Sequence, residues 1–265
     1  MLKKKIAIVG CGKLATIVAK AFTNGLLHDY AIVGAYSRSL TKAEEIARIV
    51  NNTDGNSCSV CHSFEEVMAL KPDYIVEMAS PTALKEIARV ALENGASIIT
   101  LSIGALADEA FYRQIVEVAR QNNTRIHIAS GAIGGLDVLR TVSLMGDCEL
   151  NFDTCKGPNS LKGTQVYDDQ LQTEQKSVFE GSAKEAIQLF PTKVNVAVAA
   201  SIASVGPANS KVTITSIPGY EGDDHRITIK NDQVHAVIDV YSRTAEIAGW
   251  SMVNTLRNIA SPIVF

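Results

Sequence analysis

Three short stretches of this chain hold residues whose types and spacing can do chemistry. The first is Ile6-Ala-Ile-Val-Gly10-Cys-Gly12-Lys13-Leu14-Ala15, an apolar run, a pair of glycines and a helical start. Gly10 permits a tight turn, and Gly12 lets the backbone come close to a pyrophosphate. Ala15 stands where a third glycine is usual and still allows a helix to pack on the strand. The free N–H groups of a helix opening at Lys13 and Leu14, together with its dipole, favour an anion. The second stretch is Ala31-Ile-Val-Gly-Ala-Tyr-Ser37-Arg38-Ser39. A dinucleotide-binding unit usually carries an acid here, about twenty residues after the glycines, to hold the ribose 2′-hydroxyl of NAD. Ser37 and Arg38 occupy that place instead. Arginine binds phosphate bidentately or stacks on an adenine ring, so the residues lean towards NADP or towards use of both cofactors. The bland alternative is a solvated loop arginine.

The third stretch is Pro218-Gly-Tyr-Glu-Gly-Asp-Asp224-His225. Of the five histidines, His225 opens an expected strand next to two acids, a place where carboxylates can tune a base. His28 lies in a polar turn, His62 follows a short edge-like strand, His127 points to one face of RIHIAS, and His235 reads as exposed. Against His225 as a catalytic base stands the reading of a surface histidine in a charged turn.

The glycine pair alone is a weak signal; its context strengthens it. Strand-like runs at 5–10, 30–36, 59–62, 74–79, 97–102 and 125–130 alternate with helical spacing at 13–24, 41–51, 81–94 and 108–121. Such alternation predicts a parallel sheet with helices on both sides. Asn24-Gly25 and Asn94-Gly95 read as helix ends, and Pro81 as a first-turn residue. After Ser130 comes the glycine-rich Gly131-Ala-Ile-Gly134-Gly135, then a helix to about Leu144. Strands are expected at 149–156, 211–217, 225–230 and 236–241, with helices at 182–189 and 195–204. The polar segment 158–176 reads as loop, and 244–259 as a last helix. The fold class is therefore α/β: a doubly wound Rossmann-type domain over 1–130, joined by the helix at 244–265, and a second α/β domain with an open mixed sheet over 131–243.

Composition narrows the partners. The chain of 265 residues is 46% hydrophobic and 20% charged, with net charge −3. That balance offers no basic field for nucleic acid, and no apolar run is long enough to span a bilayer. A cytoplasmic location is expected, and the five cysteines are expected as free thiols. Cys58-Ser-Val-Cys61-His62 fits a haem-attachment pattern. No export signal is expected, so the two cysteines read as small apolar residues. No metal site is expected.

Beyond these stretches the chain resembles the L-aspartate dehydrogenase family. The resemblance rests on GCGKLA, Val76-Glu-Met-Ala-Ser80, Leu101-Ser-Ile-Gly-Ala-Leu-Ala-Asp108 and Ser130-Gly-Ala-Ile-Gly-Gly-Leu-Asp137. Gly181 to Pro191, Asn195-Val-Ala197, His225 and the terminal Ser242-Arg-Thr…Trp250…Leu256-Arg-Asn258 continue it over nearly the whole length. It implies NAD(P)-dependent oxidative deamination of L-aspartate to iminoaspartate, and the reverse reductive amination. Iminoaspartate can feed NAD synthesis or hydrolyse to oxaloacetate and ammonia. The resemblance makes His225 the active-site histidine and places Ala132 and Asn195 among the cofactor-binding positions; Ser80 is a further candidate for contact with the cofactor. It also implies a homodimer, formed through the open sheet. By itself Asn195 reads as the N-cap of the helix that follows. Lys156, with backbone groups at Gly134 and Gly135, is the candidate for binding substrate carboxylates; a solvated strand-end lysine is the alternative. Two departures stand out: Ser37-Arg38 in place of an acid, and Cys155-Lys-Gly-Pro158 where relatives often show Arg-Lys-Pro-Pro. The rival readings are a similar oxidoreductase on another amino or keto acid, and a non-catalytic NADP-binding sensor.

Overall fold

The computed structural model describes residues 3–53 and 55–265. It divides into two compact units. The first comprises Met1–Ala105, Glu109–Ala129 and Ala248–Phe265; the second comprises Leu106–Asp108 and Ser130–Ile247.

In the first unit strands and helices alternate: β1 (Lys4–Val9), α1 (Lys13–Thr23), β2 (Tyr30–Tyr36), α2 (Leu40–Asn51), β3 (Ser59–Cys61), α3 (Phe64–Ala69), β4 (Tyr74–Glu77), α4 (Pro81–Glu93), β5 (Ser97–Thr100), α5 (Glu109–Gln121) and β6 (Ile126–Ile128). The strands pair in parallel in the order β3-β2-β1-β4-β5-β6. This is the expected doubly wound sheet. Its central strand shows why: Ile6, Ala7, Ile8 and Val9 are all buried, so both faces of β1 are covered. Ile8 lies between Ala35 of β2 and Val76 of β4. Helix α1 buries Ala15, Val18, Ala19 and Phe22, a stripe three to four residues apart. Asn24 and Asn94 are the C-caps of α1 and α4, each followed by a glycine at positive φ, and Pro81 opens α4.

The second unit contains α6 (Leu136–Leu144), β7 (Glu149–Lys156), β8 (Lys176–Gly181), α7 (Ala183–Leu189), α8 (Asn195–Ile202), β9 (Lys211–Ser216), β10 (Asp223–Lys230) and β11 (His235–Ser242). Its sheet runs β11-β10-β7-β9-β8. Only β7 and β9 pair in parallel, which makes this the expected open mixed sheet. Alternation along β7 buries Leu150, Phe152, Thr154 and Lys156 on one face. Helices α6, α7 and α8 pack on this sheet. Gly135 caps α6 at φ 68°, where a Cβ would lie 2.5 Å from Ile238 Cδ1. A glycine is thus required there for both turn and packing. The last helix, α9 (Glu246–Ala260), adds Met252, Val253 and Leu256 to the first unit's core. Within that unit Tyr30 Oη donates to the Leu256 carbonyl at 2.6 Å.

Two elements depart from the sequence reading. Residues 64–69, which carried no assignment, form α3. Strand β8 begins at the end of the segment expected to be loop. No helix among the described residues is long and apolar enough to cross a membrane.

Candidate active site

The ends of β1, β2 and β4 in the first unit surround a cleft of about 560 Å³, lined by Gly10, Cys11, Gly12, Ser37, Arg38 and Ser80 among others. This is the crevice outside the carboxyl ends of the strands, where the strand order reverses and open α/β sheets bind ligands. Gly10 has φ 89°, and a Cβ on it would stand 2.5 Å from the Ala79 backbone nitrogen. The turn after β1 and the turn after β4 therefore touch through glycine. Nothing lies within 4 Å of a Cβ built on Gly12, so its backbone is open to a ligand. Gly12 caps α1 without a side-chain hydrogen bond, and the first turn contains no acid. Lys13 and Leu14 thus open a helix end suited to a pyrophosphate. These features fit a dinucleotide.

Ser37 and Arg38 follow β2 at the cleft, joined there by Lys42 and His62. Glu65 and Glu86 line it too, so the local field is mixed and the cations gather near the end of β2. Ser80 has two features at once. It lines the cleft, and its Oγ caps α4 by accepting from the Ala83 N–H at 3.1 Å. Cys11, Cys58 and Cys61 are buried free thiols. Burial is the first cause holding the Cys11 and Cys58 thiols up at about 12, so they behave as apolar side chains rather than nucleophiles.

Sequence reasoning missed Glu77. This carboxylate ends β4 and is fully buried. Its Oε1 accepts from Ala79 N–H at 2.7 Å, Ser80 N–H at 3.1 Å and Ser102 Oγ at 2.9 Å, and its Oε2 accepts from Thr100 Oγ1 at 2.5 Å. Burial raises its pKa, against the lowering effect of these bonds. Glu77 therefore fixes the turn that packs on Gly10. The signal was legible in principle: an acid closing the apolar run Tyr74-Ile-Val-Glu77. Glu77→Ala would leave the buried hydroxyls of Thr100 and Ser102 without their acceptor and release the Ala79 and Ser80 N–H groups of the turn. It is expected to cost about 3 kcal/mol of stability, a fall in Tm of about 6–12 °C, with a weaker affinity for nicotinamide dinucleotides. Thermal melts and cofactor titration check both; an unchanged Tm would mean that these bonds are dispensable.

In the second unit the candidate base sits in a cluster. His225 is only 2% exposed. It is the third residue of β10, which begins at Asp223 rather than at the histidine. The surface-turn reading is thus excluded. His225 Nδ1 lies 2.9 Å from Thr154 Oγ1, and its ring packs on Phe152 with centroids 5.6 Å apart. When Nδ1–H donates to that hydroxyl, Nε2 is the basic nitrogen; no hydrogen bond reaches Nε2 among the described residues. The His225 pKa is lowered to about 4, first by burial and then by Lys156, against an upward pull from Asp223. Carboxylate tuning, expected from the neighbouring acids, is thus the smallest influence. The side chain of Lys156 is not solvated: it is 7% exposed and bonded to Asp223 at 2.5 Å.

Asn195 is the first residue of α8, and Val194 is the N-cap without a side-chain bond. Asn195 thus stands one residue past the N-cap position expected for it. Ala132 lies in the glycine-rich turn before α6, with Gly134 and Gly135. The structure thus gathers Gly10, Gly12, Ser37, Arg38 and Ser80 at one cleft, and His225 with Lys156 in another cluster.

A doubly wound dinucleotide-binding unit, followed by a mixed-sheet unit with a buried histidine, defines the class of two-unit nicotinamide-dependent dehydrogenases. The family model for the C-terminal part of aspartate dehydrogenase matches residues 137–259. The model for the NAD-binding domain of homoserine dehydrogenase matches residues 10–129. L-Aspartate dehydrogenase from Methanococcus maripaludis strain C6 is 31% identical, with 98% of each chain covered. That from Methanocaldococcus jannaschii is 29% identical with the same coverage. The crystal structure of aspartate dehydrogenase from Thermotoga maritima superposes with a TM-score of 0.77 at 28% identity, covering 99% of each chain. An amine dehydrogenase from Mycobacterium smegmatis, at TM-score 0.60 and 13% identity over 97% of this chain and 92% of its own, shares the fold. The chain belongs to the aspartate dehydrogenase family.

Proposed function

We propose that this chain catalyses the NAD(P)-dependent oxidative deamination of L-aspartate to iminoaspartate, which water converts to oxaloacetate and ammonia, and the reverse reductive amination. The observation that carries the reading beyond family membership is the cluster around His225: a buried imidazole held by Thr154, beside the Lys156–Asp223 ion pair. The cofactor, when bound, supplies the two-electron hydride acceptor or donor. Gly10, Gly12 and the N–H groups opening α1 would hold its pyrophosphate, with Ser80, Ala132 and Asn195 as further contacts. His225 Nε2, neutral at pH 7, takes a proton from the substrate ammonium, which makes the amine nitrogen able to form the imine. In the reverse direction the imidazolium returns that proton. Lys156 meets a substrate carboxylate with its remaining N–H donors.

NADP, or dual use, is the proposed cofactor preference, because cations and hydroxyls stand at the end of β2 where NAD-specific sites carry an acid. A homodimer is proposed as the assembly. The sheet face opposite Phe152 and His225 is open, with Thr213, Thr215, Arg226, Val237, Asp239 and Tyr241 on it, none of them buried. That face is mixed rather than apolar, so a partner there would meet threonines and charges around Val237 and Tyr241. Sedimentation velocity is expected to give a dimer; a monomer at micromolar concentration would sink the assembly.

The activity is tested by following oxidation of NADPH and of NADH with oxaloacetate and ammonium. Oxidation that requires both substrates is the expected result. Cofactor binding without turnover across a panel of keto acids would instead favour a sensor, and turnover with another keto acid a different dehydrogenase.

A further inference from the structure

Three strands in the second unit set the side chains of one sheet face in rows. In one row Val212 of β9, Phe152 of β7 and Ile227 of β10 are partners, and the next holds Ile214, Thr154 and His225. The last row holds Ser216, Lys156 and Asp223. The rows thus pass from apolar to polar along one sheet face, and the polar end carries donors on the β9 side and acceptors on the β10 side.

Ser216 is the unexplained member. Its residue is fully buried, and its Oγ has no hydrogen-bond partner among the described residues. Native proteins leave few buried hydroxyls unpaired, because each costs desolvation that nothing returns. Lys156, its register partner, is 5% exposed. An ammonium has three N–H donors, and the bond to Asp223 uses one. A hydroxyl and an ammonium with unused donors, side by side in one row, match the oxygens of a carboxylate. Asp223 and neutral His225 offer the complementary acceptors, which match the substrate's ammonium. Since Asp223 offsets the charge of Lys156, a neutral hydroxyl donor contributes materially to the grip.

We infer that Ser216 is the second donor, beside Lys156, of a subsite for one carboxylate of the substrate, and is a specificity-determining residue of the site. The inference deepens the reading of the chain as an aspartate dehydrogenase and rests on it for the identity of the substrate.

The test is Ser216→Ala in the full chain. One hydrogen bond to a charged group supports an increase of about tenfold in the KM for L-aspartate. The effect should fall on KM rather than on kcat, with the KM for NADP unchanged. Because the hydroxyl has no protein partner, alanine should leave Tm where it is or raise it. An unchanged aspartate KM overturns the inference. So does a lowered Tm accompanied by equal losses for aspartate and cofactor, since that is the signature of a structural hydroxyl. Binding of succinate to the NADP-loaded protein separates this inference from the wider reading. If the native protein does not turn over aspartate, that reading fails. Weaker succinate binding by Ser216→Ala than by the native chain would then still support the subsite, whereas equal binding, or none by either, would overturn it.

Discussion

Replacing His225 by alanine is expected to lower turnover by about two to four orders of magnitude, with the affinity for NADP unchanged. The expectation follows from geometry: a buried imidazole whose Nδ1 is engaged by Thr154 leaves Nε2 as the basic nitrogen of the cluster. Turnover within a few-fold of the native protein would remove His225 from the mechanism. The depressed pKa adds a signed consequence for stability. Unfolded histidine takes up its proton near pH 6.5, whereas His225 in the folded chain does so only at about 4. Between those values the unfolded state binds more protons, so this group destabilises the fold progressively as pH falls from 6.5 towards 4. Above pH 6.5 it contributes nothing. The loss is on the order of 3 kcal/mol at the acid end. His225→Asn, which keeps a polar group near Thr154, should therefore lose less stability between pH 7.5 and pH 5 than the native chain does. Urea midpoints at the two pH values measure this. Equal losses would mean that His225 takes up its proton at the same pH in both states.

The first unit was legible because its physics is local. A strand covered on both faces must be apolar throughout, and the four consecutive buried residues of β1 read as such without knowledge of their neighbours. Glycine turns and asparagine–glycine helix ends are likewise local signals. Helix α3 escaped because six residues are too few to show a helical period. Strand β8, Lys176-Ser-Val-Phe-Glu-Gly181, escaped because it is an edge strand that keeps polar side chains exposed and follows a polar segment. The site was legible by residue and not by environment. His225 stood out, but its flanking aspartates read as a turn, whereas they are the opening residues of a strand. Alternation there puts Asp223 on the histidine's face and Asp224 on the other. Asp223 is local, but Lys156, the charge that lowers its pKa, and Thr154, which holds Nδ1, come from a distant segment, and only the antiparallel register of β7 and β10 brings them to it. Glu77 and Ser216 share that property. Glu77 shows in sequence only as an acid closing an apolar run and Ser216 not at all, and each acquires meaning from what surrounds it, or from what does not.

Arg38 carries the other large effect. If the chain uses NADP, Arg38→Ala is expected to lower kcat/KM with NADPH by about 10- to 100-fold, the value of charge-assisted hydrogen bonds to a phosphate. With NADH the same change should matter little, because a 2′-hydroxyl gives a guanidinium no anion to hold. Ser37→Asp should act in the opposite sense. A carboxylate at the end of β2 can accept from the ribose hydroxyls and repels a 2′-phosphate, so preference should move to NADH. The two substitutions separate three roles for the arginine. A phosphate ligand loses NADPH alone, an adenine-stacking residue loses both cofactors equally, and a solvated loop arginine loses neither. Lys42 and His62 line the same cleft, so some preference for NADPH should survive in Arg38→Ala. The double variant Arg38→Ala with Lys42→Ala should remove it. Equal kcat/KM for the two cofactors in the native chain, unmoved by either change, would show that the missing acid marks tolerance of both cofactors rather than selection of NADP.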